Sequence, residues 1–281
     1  MSHVAIVTDS ASDLPPDVAR AASIAVVPLV VSFGPESFRP GVNLTTDEFW
    51  RRMTAPDAPF PTTAAAAPGD FLNAFREAFD AGAESVVCVT VSGDLSGTLK
   101  AALVARDQLP DRDIHVVDSR TASMGHGMLA QIAAELAAEG VSAPEIARVI
   151  EHRKADVTLF VALDTLEYLK RGGRISGARA AIGTMLNVKP IITVVDGVVE
   201  NADRVRSRPK ARERVLELLT AKPLERASLL HTTNADVEEF RARFIERSGL
   251  PASRVQTMLV GPSVGPHLGP GCVGATVIVR H

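Results

Sequence analysis

The sequence predicts an α/β fold of two lobes, each built on a mostly parallel sheet flanked by helices. Short apolar runs alternate with helical periods along the whole chain, and 46% of the 281 residues are apolar. That apolar content supplies a core, so we expect a folded chain rather than a disordered one. A charged run at residues 151–156 follows a predicted helix. The expected lobes are therefore residues 1–155 and 156–281.

The predicted strands are short buried runs rich in Val and Ile. They cover residues 4–8, 24–31, 85–91, 114–117, 158–163, 191–195, 228–231, 256–260 and 275–279. Helices are predicted at residues 16–22, 99–108 and 143–154. Phe71, Phe75 and Phe79 recur at helical spacing, so a further helix should bury these rings in the core rather than present them to a ligand.

Composition excludes several classes of protein. A net charge of −3 and an aromatic content of 4% argue against nucleic-acid binding. No apolar run approaches about 18 residues, so no membrane span is expected. Cys88 and Cys272 do not form a disulfide framework, and the first residues lack the pattern of a secretory signal, which together predict a cytoplasmic protein. The histidines lack metal-ligand spacing, so no metal site is expected.

Small hydroxylated residues follow the buried run at 85–91, in the segment Ser92-Gly93-Asp94-Leu95-Ser96-Gly97-Thr98. A helix is predicted directly after it, so hydroxyls and free backbone N–H groups meet at a helix N-terminus, where an anion is stabilised. The spacing matches neither GxxxxGK[ST] nor GxGxxG, which disfavours a nucleoside triphosphate and a dinucleotide. A carboxylate or a single phosphate fits the segment, and an ordinary serine cap explains the same residues.

Three further loops fit either an anion site or ordinary structural hydrogen bonds. Residues 9–15 follow the first strand, where open α/β sheets bind ligands, but they also suit a turn and a helix cap. Thr62 and Thr63 lie in a proline-bounded loop, and their hydroxyls could donate to an anion or cap the next helix. His267 lies in a glycine-rich turn, and its imidazole could hold an anion or make a structural hydrogen bond.

Two basic segments also have two interpretations. Arg174 ends the segment Lys170-Arg171-Gly172-Gly173-Arg174, and Arg206 lies within Arg204-Val205-Arg206-Ser207-Arg208. Each is either solvated loop charge or a patch that binds phosphate or an acidic partner.

A serine pattern near the C-terminus is rejected as a catalytic motif. Residues 261–265 match the GxSxG pattern of a hydrolase nucleophile. The required helix cannot follow through Pro266, and no Asp or Glu comes after Ser263 to complete a Ser–Asp–His order. The match is a coincidence.

Taken together, these segments resemble the DegV family over essentially the whole chain. The resemblance is specific because several short pieces occur in the family's order. They are Val7-Thr8-Asp9-Ser10 with Asp13-Leu14-Pro15, Pro61-Thr62-Thr63, Ser92 through Thr98, Val117-Asp118-Ser119, residues 169–177, Lys189-Pro190, and His267 with Gly269-Pro270-Gly271. The resemblance implies two α/β lobes around a long-chain fatty acid such as palmitate, with no other cofactor.

The resemblance also implies a function. Members of the family are similar to the fatty-acid-binding subunit of a bacterial fatty acid kinase, in which a separate ATP-binding protein phosphorylates the acyl carboxylate. The chain is then not an enzyme by itself. By position, the residues implied to hold the carboxylate are Thr63, Ser96, the Gly97 amide, His267 and Thr62.

Arg174 and Arg206 match basic positions that the family associates with the kinase partner or the acyl-phosphate product. One departure is clear, because Ala64-Ala65-Ala66 replace the Ser-Gln-Pro that usually follows this threonine. Two other functions stay open. One is a stand-alone phosphoryl-transfer enzyme, against which the missing phosphate loop and acidic metal cluster count. The other is a regulatory binding module for a different small anion.

Overall fold

The strands form three sheets in the computed structural model, which describes residues 3–175, 188–232 and 237–280. The first part of the chain contains β1 (Val4–Asp9), α1 (Pro16–Ala21), β2 (Ile24–Val27), β3 (Val30–Phe33), β4 (Glu36–Phe38), α2 (Thr46–Met53), β5 (Thr62–Ala64), α3 (Pro68–Asp80), β6 (Ser85–Thr90), α4 (Thr98–Asp107), β7 (Asp113–Asp118), α5 (Met124–Ala138) and α6 (Ala143–Arg153). The remainder contains β8 (Val157–Ala162), α7 (Glu167–Arg171), β9 (Lys189–Val195), β10 (Val198–Val205), α8 (Arg208–Leu219), β11 (Leu224–His231), α9 (Val237–Ser248), β12 (Val255–Leu259), α10 (Gly265–Leu268) and β13 (Val273–Val279).

The first sheet is fully parallel, in the order β2-β1-β6-β7. Every residue of β6 is buried, as expected of a parallel strand that helices cover on both faces. Helix α3 packs Phe71, Phe75 and Phe79 against one face, with exposures of 0%, 0% and 9%. The prediction that these rings belong to the core is confirmed. Helices α5 and α6 cover the opposite face.

The second sheet has six strands in the order β10-β9-β8-β13-β11-β12. The α/β class is confirmed, but the expectation of a mostly parallel second sheet is wrong, because only the β11–β12 pair is parallel. Strand β13 runs antiparallel between β8 and β11. Strands β9 and β10 form a hairpin through Asp196 and Gly197, whose φ angles of 47° and 83° suit a tight two-residue turn.

A small antiparallel sheet, in the order β4-β3-β5, corrects two expectations about the N-terminal region. The single strand predicted at residues 24–31 is two strands, because Pro28 lacks the N–H that would continue the ladder. Thr62 and Thr63 lie in β5 rather than in a loop, and Thr63 pairs with Val31.

The first and third sheets use residues before 119, and the second uses residues after 156. The division into lobes at residues 1–155 and 156–281 stays a prediction. Within the described ranges, the helices include α5 at 15 residues, and none has both the length and the apolar character needed to cross a bilayer.

Helices α7 and α10 approach each other closely because two glycines at their contact have no Cβ. A Cβ on Gly172 would overlap Nδ1 of His267, and a Cβ on Gly269 would overlap the ring of Tyr168. Gly269 also has a φ of 73° and a ψ of 177°, a conformation that is almost restricted to glycine. This contact fixes the position of His267.

We predict that Gly172→Ala lowers the free energy of unfolding by about 1–3 kcal/mol, because the new methyl group must displace the His267 ring. Gly69→Ala is the matched control, since Gly69 lies in α3 and a Cβ there meets nothing within 4 Å. The control should be neutral or stabilising by about 0.5–1 kcal/mol. Urea unfolding followed by circular dichroism measures both, and equal effects of the two variants would contradict the prediction.

Candidate functional site

A cavity lies between the carboxyl end of the parallel sheet and one face of the six-stranded sheet. Its empty space, counted together with the open solvent at its mouth, is about 780 Å³. Residues that follow the parallel strands line one side, among them Ala11, Val91 and Ala122. The other side is apolar and consists of Leu159, Val161, Ile192, Val194, Val199 and Leu230.

The apolar side follows from strand geometry. Leu159 and Val161 of β8, like Ile192 and Val194 of β9, are two residues apart, and so their side chains point to the same face of the sheet. Ala64 and Ala65, at the departure from the family's usual sequence, also line the cavity. This wall suits a hydrocarbon group.

Polar side chains on the cavity wall include Thr63, Ser96, Arg174 and His267. The Thr63 Oγ1 atom lies 3.0 Å from Nε2 of His267. Strand β5 supplies Thr63, and helix α10 supplies His267, so two elements 204 residues apart in sequence build one polar pair. The arrangement presents a hydroxyl and an imidazole to the end of an apolar cavity.

Ser96 reaches the cavity from the turn that precedes α4. The carbonyl of Ser92 accepts from the N–H groups of Leu95 and Ser96, which closes the turn. Ser96 Oγ lies 2.8 Å from Thr98 Oγ1 and accepts from the Thr98 N–H at 3.3 Å. Ser96 therefore lines the cavity and accepts from the first N–H of α4, whereas the N-cap of this helix is Gly97, so the interpretation as an N-cap serine is wrong.

Arg174 joins the two sides of the site. Its Nε donates to the carbonyl of Leu95 at 3.0 Å, and its Nη1 donates to the carbonyl of Gly172 at 2.8 Å. The guanidinium is thereby held between the turn before α4 and the end of α7. A fixed positive charge at this place favours an anion nearby.

His267 is neutral at physiological pH. Burial, and to a lesser extent the positive charge of Arg174, lower the pKa of its imidazole from 6.5 to about 4. Its Nδ1 atom is buried and has no hydrogen-bond partner among the described residues. The ring therefore acts through Nε2, on the Thr63 side.

The structure brings together four of the predicted site residues and leaves three outside the cavity wall. Thr62 is exposed and points away from the cavity, because neighbouring strand residues face opposite sides. Gly97 is exposed beside Ser96, at the start of α4. Arg206 is exposed beyond the end of β10 that lies opposite the hairpin turn.

Sequence reasoning missed two serines on the cavity wall, Ser123 and Ser263. The expectation that no helix can follow Ser263 through Pro266 is wrong, because the short helix α10 has Pro266 in its first turn. Ser263 places its Oγ 2.8 Å from Oγ of Ser10. Its position in the turn that follows a predicted strand was a usable signal. Of the segments that carry the family resemblance, Ser176 and Gly177 lie outside the described residues. Within those residues, no three His, Cys, Asp or Glu side chains are grouped as a metal site requires.

The comparisons with known proteins agree with this architecture. Residues 3–280 match the family model described as an uncharacterised protein of the DegV family. The chain belongs to the DegV family. A DegV domain-containing protein of Caldanaerobacter subterraneus subsp. tengcongensis is 34% identical over 280 residues, which cover 98% of each chain.

Solved structures confirm the fold of this DegV chain. A DegV family protein from Thermus thermophilus, described as fatty-acid-binding, superposes with a TM-score of 0.90 at 37% identity and covers 99% of this chain and 100% of its own. A stearic-acid-binding protein from Eubacterium ventriosum superposes with a TM-score of 0.88 at 28% identity, covering 99% of this chain and 98% of its own.

Behind the cavity, Asp13 connects the loop after β1 to the loop after β12. Its buried carboxylate accepts from the Gly261 N–H at 2.9 Å and from Oγ of Ser123 at 2.5 Å. Burial raises the pKa of Asp13 from 3.8 to about 6, although the hydrogen bonds from Ser123 and Gly261 oppose this shift. The folded protein therefore binds a proton at this carboxyl more readily than the unfolded chain does.

We predict that the contribution of Asp13 to stability grows as pH falls. Between about pH 7 and pH 5 the folded state gains a proton that the unfolded state does not, which stabilises the wild type by about 1 kcal/mol relative to Asp13→Asn. Asn suits the comparison because it tolerates the positive φ of 55° at this position. Urea unfolding of both proteins across this range measures the difference, and a constant or falling difference would contradict the sign.

Proposed function

We propose that this chain binds a long-chain fatty acid, with the tail in the apolar cavity and the carboxylate beside Thr63, Ser96 and His267. The observation that carries the proposal is the cavity itself, whose apolar wall ends at a hydroxyl–imidazole pair and a serine at a helix N-terminus. The two structural relatives described as binding fatty acids, at 37% and 28% identity, support it. An uncharged tail and an anionic head fit the two halves of the site.

The tail supplies most of the gross binding free energy. A palmitate-sized chain has about fourteen methylenes, each worth about 0.8 kcal/mol when buried, so the gross gain is on the order of 11 kcal/mol. Association and ordering remove much of that gain. Each charge-assisted hydrogen bond to the carboxylate adds about 1–3 kcal/mol, most of which offsets its desolvation. The tail therefore sets affinity, and the head group sets orientation.

The chemistry of a carboxylate fixes the direction of the Thr63–His267 hydrogen bond. An ionised carboxylate only accepts hydrogen bonds, so Thr63 must donate its O–H to the ligand. Its Oγ1 then accepts from Nε2 of His267, which carries the proton, and Nδ1 is unprotonated. Neutral His267 with an unpartnered Nδ1 supports this tautomer. The N–H groups at the start of α4, including that of Gly97, provide a second set of donors.

We further propose that the bound carboxylate is presented to a separate ATP-dependent kinase, which forms the acyl phosphate. Arg174 lies on the cavity wall, so it is suited to contact the phosphate that the reaction adds. Arg206 is exposed and does not line the cavity, so it is suited to docking the kinase instead. The chain itself would supply the bound substrate and leave ATP to its partner.

We predict that purified wild-type protein carries about one long-chain fatty acid per chain, measured by mass spectrometry of its extracted lipid.

Thr63→Ala combined with Ser96→Ala should lower fatty-acid affinity about 10-fold to 100-fold, since two donors to the carboxylate are lost. Thr62→Ala is the matched control, because it removes the neighbouring hydroxyl on the opposite side of β5.

Circular dichroism should show that the double variant is folded. Recovery of a different small anion, or of no ligand, would contradict fatty-acid binding by the wild type. Equal affinity of the double variant and the wild type would contradict the assigned head-group site.

We predict that Arg174→Ala spares fatty-acid rebinding to delipidated protein but lowers acyl-phosphate formation by the partner kinase about tenfold or more, because a charge-assisted contact is lost. Arg174→Lys should recover part of the activity, as it keeps the charge without the planar geometry. A coupled kinase assay and a rebinding titration measure the two effects. An equal loss in both assays would reject a separate role for Arg174.

A further inference from the structure

Asp9 is a fully buried carboxylate at the end of β1. Its Oδ1 accepts from the N–H of Ala11 at 2.9 Å, and its Oδ2 accepts from the N–H of Val91 at 2.9 Å. Ala11 follows β1, and Val91 follows β6, so one carboxylate joins the ends of two neighbouring parallel strands. Both partners line the cavity.

The turns that begin at these two strand ends continue into the site. After β1, Ser10 Oγ lies 2.8 Å from Oγ of Ser263, which lines the cavity. After β6, Ser92 donates its Oγ–H to the carbonyl of Gly197 at 2.8 Å and uses its own carbonyl to close the turn that presents Ser96. Because Asp9 fixes the distance between the ends of β1 and β6, it also fixes the positions of the two turns that begin there and reach the head-group site.

A carboxylate is unusually suited to this position. It accepts from two N–H groups at once, one on each oxygen, whereas an amide of the same shape offers only one oxygen. An apolar residue would leave both N–H groups buried without a partner. His126, also fully buried, has Nε2 3.5 Å from Oδ1 of Asp9 and packs behind the carboxylate. Burial of this charge is costly, so its retention points to a task beyond filling space.

We propose that Asp9 is a positioning residue for carboxylate recognition: it fixes the end of β6 against the end of β1, so that the turn from Ser92 to Thr98 aims Ser96 at the ligand head group. This inference rests on the proposed fatty-acid binding. It assigns Asp9 no contact with the ligand, because the carboxylate acts through the backbone of Ala11 and Val91.

The test separates head-group recognition from general stability. Delipidated wild type, Asp9→Asn and Thr8→Val are each titrated with palmitic acid and with hexadecanol, which has the same chain length and no charge. Thr8 is the matched control, since its buried hydroxyl donates to Val89 of β6 at 2.8 Å but does not line the cavity. The measured quantity is the ratio of the two affinities.

For Asp9→Asn we expect the preference for the acid over the alcohol to fall about tenfold, because the donors lose their alignment with the carboxylate. Thr8→Val should keep the wild-type ratio even where both ligands bind more weakly. A wild-type ratio in Asp9→Asn would overturn the inference. A wild type that binds neither ligand, or does not prefer the acid, would instead overturn the proposed function.

A second variant covers the case in which Asp9→Asn does not fold. Asp9→Glu keeps both acceptor oxygens but displaces them by one methylene, so its preference for the acid over the alcohol should fall below that of the wild type. An unchanged ratio in Asp9→Glu would count against the inference. Failure of both variants to fold would also overturn it, because the role of Asp9 would then be structural.

Discussion

The structure depends on one apolar core that the parallel sheet and the mixed sheet share through helix α5, which contacts β1 and β6 of the first sheet and β8 and β13 of the second. A single core cluster contains Val87 and Val89 from the first sheet and Leu159, Val161 and Leu230 from the second. Three of these residues, Leu159, Val161 and Leu230, also line the cavity. The cavity is thus a gap within a shared core, and its apolar character follows from the same strand faces that hold the two sheets together.

Buried polar contacts keep this gap at a fixed shape. Asp13 accepts from Gly261, Ser10 contacts Ser263, and Ser92 donates to Gly197, each linking a loop of the parallel sheet to a loop of the mixed sheet. Apolar packing alone is non-directional, whereas a buried polar group must find its partner at a defined distance. These contacts therefore specify one relative placement of the two sheets. Apolar packing alone would permit several.

Much of the fold could be predicted from the sequence, because buried parallel strands appear as continuous Val and Ile runs and turn residues follow them. The runs at β1, β6 and β7 show this directly. The antiparallel orientation of most strands in the second sheet was not predicted, although the Asp196-Gly197 pair between two apolar runs is typical of a hairpin. The order of β13 between β8 and β11 has no local signal, because it is decided by packing between segments far apart in sequence.

In the candidate site, too, some features could be predicted from the sequence and others could not. Ser96 could be predicted from its place after a strand and before a helix, since that geometry is local. The meeting of Thr63 with His267 joins residues 204 positions apart, and only the family resemblance pointed to it. Thr62 is exposed because it lies in strand β5, where its side chain faces away from the cavity. A strand of three residues, two of them threonines, is too short to show an alternating pattern in the sequence. Asp9 was recognised as part of a polar turn, but its contact with the Val91 N–H depends on the neighbouring strand.

In the proposed complex the tail sets affinity and the head group sets orientation, and this difference bears on the proposed presentation to a kinase. Conversion of a carboxylate into an acyl phosphate changes the charge and size of the head but leaves every methylene of the tail in place. Because the tail supplies most of the gross binding free energy, substrate and product can both be retained by the same apolar wall. In the proposed complex, Thr63 and Ser96 would orient the reacting oxygen, and Arg174, which lines the same cavity, would balance the added negative charge. A site that held the acid mainly through its carboxylate would release it as soon as that carboxylate reacted.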